Sequence, residues 1–200
     1  MSIQAIILDF GGVLVRLEDP RGQREWEARL GLEPGAFFDL VFGSEISARA
    51  MVGEISEAEL WQHLADRLAL DVADLQNLQR DFWSGERLNV ELVRFIRTLR
   101  PHYKTAILSN AWSDAREALL HFGLDCEVDT LIISAEEGLA KPDPRIYTLA
   151  AERLGVQPEQ AVFLDDLIEN IEGARAVGMR AVHYQDNAQA IAEIKGHLQS

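Results

Sequence analysis

The chain has 200 residues, 48% hydrophobic and 26% charged, enough to bury a sizeable core as one domain carrying an insertion, or as one and a half domains. A net charge of −14, with no basic cluster to offset it, argues against nucleic acid or anionic membrane surfaces as partners. No apolar run approaches the roughly 18 residues of a membrane span, and no N-terminal basic region leads into a long apolar one. The lone cysteine, Cys126, cannot form an internal disulfide. A cytoplasmic location is therefore expected, with Cys126 a buried or inert thiol.

Ala5 to Leu8 is a short apolar run with the branched content of a buried strand. It leads into Asp9 and then Gly11 and Gly12, which let the backbone turn sharply and pass close to a ligand. In open parallel sheets ligands sit beyond the carboxyl ends of strands, where Asp9 falls. Taken alone, Asp9 is as readily an ordinary turn residue. From about Arg16 to Arg87 the sequence reads as helices with few plausible strands. One covers Arg21 to Leu30 and stops before Gly31. Another opens on the capping box Ser56 and Glu59, with Leu60, Trp61, Leu64 and Leu68 at helical spacing, and Asp71 to Trp83 gives a third.

Regular alternation begins near Asn89. A helix with Leu92, Val93, Ile96 and Leu99 precedes Pro101, and a strand over Thr105 to Leu108 ends in Ser109 and Asn110. Ser113 is placed as the cap of a helix reaching Phe122 and Gly123. The strand Thr130 to Ile133 ends at Ser134. Asp143 caps the next helix with Pro144 at its first position, and Gly155 stops it. Ala161 to Leu164 closes in Asp165 and Asp166; Ile168, Ile171, Ala174 and Val177 mark the following helix. Arg180 to His183 is the last strand, and Ile191, Ile194 and Leu198 mark a C-terminal helix. The pattern is α/β: a doubly wound parallel, Rossmann-like sheet with a small all-helical cap inserted after strand 1. The boundaries expected are 1–15 and 88–200 for the α/β core and 16–87 for the cap.

Four strand ends bring polar groups to one sheet edge: Asp9, Ser109 with Asn110, Lys141, and Asp165 with Asp166. In order and spacing, Asp9-Phe10-Gly11-Gly12-Val13, Leu108-Ser109-Asn110, Lys141-Pro142-Asp143-Pro144 and Phe163-Leu164-Asp165-Asp166 with Asn170 resemble the haloacid dehalogenase-like hydrolase superfamily, in the subgroup whose helical cap follows the first strand. The resemblance covers nearly the whole chain. It implies a Mg²⁺-dependent phosphatase of a small phosphorylated metabolite, working through an aspartyl phosphate on Asp9 with Lys141 supplying positive charge. It also implies a magnesium ion held by Asp9, the backbone carbonyl of Gly11 and Asp166, with Asp165 assisting. Ser109, Asn110 and backbone groups around Gly11 and Gly12 would hold the phosphoryl oxygens, and Asn170 would orient Lys141 or Asp165.

One departure stands out. Phosphatases of this superfamily usually carry a second aspartate two positions after the nucleophile as general acid and base, and here that position is Gly11. Losing such a proton donor typically costs about 10²–10⁴ in rate. Members with glycine there resemble sugar-phosphate phosphatases, including ones acting on anomeric phosphates, whose leaving group departs more readily. Two alternatives stay open: a metal-independent 2-haloacid dehalogenase, against which the Asp165-Asp166 pair counts, and a weak or idle phospho-ligand or protein-binding domain. Trp112 stands either at the pocket or in packing; Arg49, Trp61 and His63 are read as core or surface residues. Oligomeric state is not legible.

Overall fold

The computed structural model describes residues 2–199. The chain opens with β1 (Ala5–Leu8), turns through Gly11 and Gly12, and forms β2 (Val15–Leu17). Helices α1 (Arg21–Leu30), α2 (Ala36–Phe42), α3 (Glu45–Met51), α4 (Glu57–Leu68) and α5 (Val72–Trp83) follow, then β3 (Glu86–Leu88). Alternation then sets in: α6 (Val90–Leu99), β4 (Lys104–Ser109), α7 (Ala115–His121), β5 (Thr130–Ile133) and the one-turn α8 (Ser134–Glu137). It ends with α9 (Pro144–Leu154), β6 (Ala161–Asp165), α10 (Ile168–Ala176), β7 (Arg180–His183) and α11 (Asn187–Leu198).

The strands order as β5-β4-β1-β6-β7, every pairing parallel. Both faces are covered, so alternate residues of one strand enter different cores: Ile6 and Leu8 face one apolar cluster, Ala5 and Ile7 the other. That explains the unbroken apolar runs in the sequence. The chain winds from β1 through β4 to β5, then crosses back to β6 and β7. The winding reverses at β1, and ligands of such sheets settle beside that reversal.

Local signals placed most helix ends. Ser56 and Glu59 close a capping box on α4, Asp143 accepts the Arg145 amide with Pro144 in the first turn of α9, and Gly31 and Gly155 end their helices in left-handed geometry. Two expectations need correcting. Asp114, not Ser113, occupies the N-cap of α7; the Ser113 hydroxyl instead accepts from the Glu57 amide and donates to Asp114. The stretch from Arg16 to Arg87 is also bracketed by short strands, because β2 and β3 pair antiparallel in the register Val15–Leu88, Arg16–Arg87 and Leu17–Glu86. Three-residue strands are too short to leave a period in the sequence. Helices α1–α5 wrap their own apolar cluster, built on Trp26, Phe37, Leu60, Trp61, Leu78 and Phe82. Among the described residues no helix is long and apolar enough to cross a membrane. Cys126 is exposed rather than buried.

Candidate active site

Asp9 follows β1 at the centre of the sheet, Ser109 ends β4 on one side, and Asp165 ends β6 on the other. Lys141 arrives from the loop before α9. Its ammonium lies 2.7 Å from Asp9 Oδ1 and 2.6 Å from Asp165 Oδ2, and all three residues are buried. The Phe163 ring lies 5.5 Å from the same ammonium. Asp9 Oδ1 also accepts the Phe10 amide at 2.7 Å, whereas no described residue donates to Asp9 Oδ2.

The acidic doublet divides into two unlike partners. Asp165 is saturated by protein donors: Lys141, the Leu167 amide at 2.8 Å and the Asn170 side chain at 3.0 and 3.1 Å. Asn170 is fixed in turn, its carbonyl accepting from Tyr147 at 2.8 Å. Asp166 is only part-buried, and among the described residues no other residue donates to its carboxylate. Its backbone carbonyl faces His183 Nε2 at 2.9 Å. Gly12 makes the approach possible: its φ is +80°, and a Cβ there would sit 2.2 Å from Asp166 Oδ2.

Asp9, Asp165 and Asp166 can each bring a carboxylate oxygen within 4.8 Å of the others. Three acids against one lysine leave the cluster negative, and carboxylate oxygens, those of Asp166 foremost, are the hard donors a divalent cation takes. The residues thus fit a magnesium ion. The pKa directions agree. Burial pushes Asp9 up to about 7, with Lys141 pulling against it and Asp165 adding to it. Burial, then Asp165, raises Asp166. Burial opposes the charge on Lys141, but Asp9 and Asp165 together hold its pKa above the ordinary value.

Ser109 is buried and its hydroxyl bonds to no described residue. Asn110 is committed to the Lys141 backbone: its amide donates to the carbonyl at 2.9 Å and its oxygen accepts the N–H at 2.8 Å. One amide hydrogen remains for a ligand. Gly11 is exposed, and a Cβ there would touch nothing within 4 Å. Trp112 is buried among residues of the insertion. Trp61 is core, Arg49 pairs with Glu54 at 3.1 Å, and His63 is exposed. Sequence spacing marks Ser134 only as a strand end; in the structure its hydroxyl holds both the N–H and the carbonyl of Ala111, next to Asn110. Only long-range pairing could reveal that.

Comparison with known proteins agrees with this architecture. The sequence pattern of the haloacid dehalogenase-like hydrolases matches residues 3–178. The pig bifunctional epoxide hydrolase 2 is 29% identical over 98% of the chain, which spans 39% of that protein's length. The Escherichia coli fructose-1-phosphate phosphatase YqaB is 29% identical, the match covering 88% of this chain and 94% of that one. In fold, the chain is similar to a HAD family enzyme from Bacteroides thetaiotaomicron crystallised with magnesium and inorganic phosphate. The TM-score is 0.77 at 20% identity, covering 92% of this chain and 95% of the other.

Proposed function

Since this chain belongs to the haloacid dehalogenase-like hydrolase family, we propose that it is a Mg²⁺-dependent phosphatase of small phosphorylated metabolites, with residues 16–87 acting as the cap over its site. The single observation that carries the reading is the buried Lys141 bridge between Asp9 and Asp165, set beside an Asp166 carboxylate to which no other described residue donates. A surface acidic turn has no need of a buried lysine, and a buried ion cluster is costly enough to want a reason.

Asp9 Oδ2 is the attacking oxygen, since Oδ1 is held by Phe10 and Lys141. Attack on phosphorus forms an aspartyl phosphate as the alcohol leaves; water then cleaves the acyl phosphate. Lys141 offsets the charge of the approaching phosphate. Asp165 and Asn170 keep Lys141 aimed at Asp9. The Ser109 hydroxyl, the second amide hydrogen of Asn110 and the Gly11 backbone amide receive phosphoryl oxygens; the Gly12 amide, expected to join them, is already donated to the Val15 carbonyl at 2.8 Å. Asp9, Asp166 and the Gly11 carbonyl would hold Mg²⁺, which when bound neutralises phosphate charge.

Gly11 supplies no proton to the leaving alcohol, so substrates whose alcohol departs readily are favoured. A sugar phosphate esterified at its anomeric hydroxyl has that property; the fructose-1-phosphate phosphatase relative supports sugar phosphates as the broader class but not the anomeric preference, because the 1-hydroxyl of a ketose is a primary alcohol. The test is phosphate release from an aryl phosphate with Mg²⁺ or chelator, for wild type and Asp9→Asn. Expected is metal-dependent turnover that Asp9→Asn abolishes. Halide release from chloroacetate without metal would replace this reading with the dehalogenase one, and silence in both assays would leave a binding domain. On a sugar-phosphate panel, anomeric esters turn over faster than primary ones. Because the Gly11 position is open, Gly11→Asp narrows that gap by raising turnover of primary esters, on the order of 10²-fold.

A further inference from the structure

We propose that Trp112 is a positioning residue which couples seating of the helical insertion to the loop that carries Lys141. Four consecutive residues beyond β4 engage three different parts of the molecule. Asn110 exchanges two hydrogen bonds with the Lys141 backbone, at 2.8 and 2.9 Å. Ala111 exchanges two with the Ser134 hydroxyl, at 2.9 and 3.1 Å. Trp112 inserts into the apolar cluster of the insertion, stacked on Phe42 at 4.7 Å and edge-on to Trp61 at 5.9 Å and Trp83 at 6.0 Å. Ser113 accepts the Glu57 amide at 3.1 Å, in the first turn of α4. Among the described residues, Trp112 is the one member of that cluster from outside the insertion. The path from the aromatic socket to the ammonium between Asp9 and Asp165 is therefore three short, bonded steps.

Two further observations describe how the contact is made. The Trp112 indole N–H is buried and meets no acceptor among the described residues, whereas those of Trp26 and Trp61 reach Asp81 at 3.1 Å and Glu57 at 2.9 Å. Docking thus strands a donor that water would satisfy in an undocked state, a cost the ring contacts must outweigh. Beside it, Gly53 of the insertion lies so close to the core that a Cβ would stand 2.1 Å from the Ala135 carbonyl, adjacent to Ser134. The seated insertion bears on both ends of the Ala111 anchor.

The kinetic arm of the test rests on the phosphatase reading; the exchange arm does not. Amide hydrogen exchange is compared for wild type, Trp112→Ala, Trp112→Phe and Trp61→Phe, the last removing bulk from the same cluster wholly inside the insertion. In Trp112→Ala, exchange at residues 109–113 and at 140 and 141 rises about tenfold, while Trp61→Phe changes it only within the insertion. With Mg²⁺ present, KM for the aryl phosphate and Ki for inorganic phosphate rise together in Trp112→Ala, about tenfold. Trp112→Phe, which keeps the stack on Phe42, restores both to within about threefold. Should Trp112→Ala not fold, Trp112→Leu carries the same measurements. Equal exchange changes in the Trp112 and Trp61 variants, or none at 140 and 141, would overturn the proposal. The expected exchange pattern without phosphate release from any ester would sink the phosphatase reading and leave the coupling standing.

Discussion

At the edge of the sheet the protein buries charge; in the helical insertion it buries rings. Lys141, Asp9 and Asp165 lie together out of solvent, the ammonium bridging the two carboxylates and the Phe10 and Leu167 amides donating to one each. The insertion keeps most charges at its rim, in pairs such as Arg29 with Asp74 and Arg49 with Glu54. Its buried acid, Glu27, serves backbone, accepting the amides of Gly35 at 2.6 Å and Phe37 at 3.3 Å. Phe37, Phe82 and Trp61 fill its interior edge to face. Packed rings stabilise by burial and tolerate some repacking. A buried cluster of ions is poor value for stability, and where a fold keeps one at its ligand-binding edge, chemistry is the economical explanation. The same contrast explains why the insertion reveals little of the substrate: its pattern is that of a core.

The sharpest way to break the comparison is Lys141→Met. Removing one partner leaves Asp9 and Asp165 facing each other without compensation, which costs about 3–5 kcal/mol by the behaviour of buried pairs. Urea unfolding at pH 8 reads this loss. Because the Asp9 pKa lies near 7 in the wild type, and removal of the lysine raises it further, the carboxyl takes up a proton as pH falls. The loss is therefore smaller at pH 5. Turnover falls by at least about 10²-fold.

On the other side of the contrast stands Phe37→Ala. Phe37 is fully buried and sits edge-on to Phe82 at 5.1 Å, so the truncation costs about 3–5 kcal/mol. Because the cluster it leaves is largely separate from the sheet, the loss should appear as a second, earlier transition rather than one shifted midpoint. Calorimetry distinguishes the two outcomes, and a single cooperative transition would mean that the insertion and the sheet unfold as one unit.

The smallest effect belongs to the junction. The side-chain carboxyl of Glu86, on β3 opposite Leu17, has no hydrogen-bond or ion-pair partner among the described residues, and burial pushes its pKa up to about 7. A carboxyl with a raised folded pKa holds its proton more tightly in the folded state. Its contribution is fully present below the ordinary value of 4.5 and is lost as pH rises from there through about 7. Glu86→Gln removes that loss. The variant melts ~2–4 °C above wild type at pH 8, and the gap closes by pH 5. A gap independent of pH would show that Glu86 acts through packing instead.

Much of this molecule is written locally. Branched apolar runs specify the strands, and Ser56, Glu59, Asp143, Pro144 and the glycines at 31 and 155 specify helix ends, because these signals act within one turn of chain. The polar residues at the ends of β1, β4 and β6 are likewise visible in sequence, since each follows directly on its apolar run. What required the tertiary structure is everything that depends on pairing across the sheet. Adjacent aspartates look alike in sequence; only the arrival of Lys141, Leu167 and Asn170 at Asp165 separates a saturated carboxylate from the unengaged Asp166. The β2–β3 ribbon, the exchange of cap from Ser113 to Asp114 and the seat of Trp112 in the insertion are of the same kind. Lys141 reaches Asp165 from 24 residues away, the β2–β3 ribbon pairs Val15 with Leu88, and the cap is settled by a competition between adjacent residues that the packed insertion decides. A sequence names the groups that can meet, whereas the reversal of winding at β1 decides which of them do.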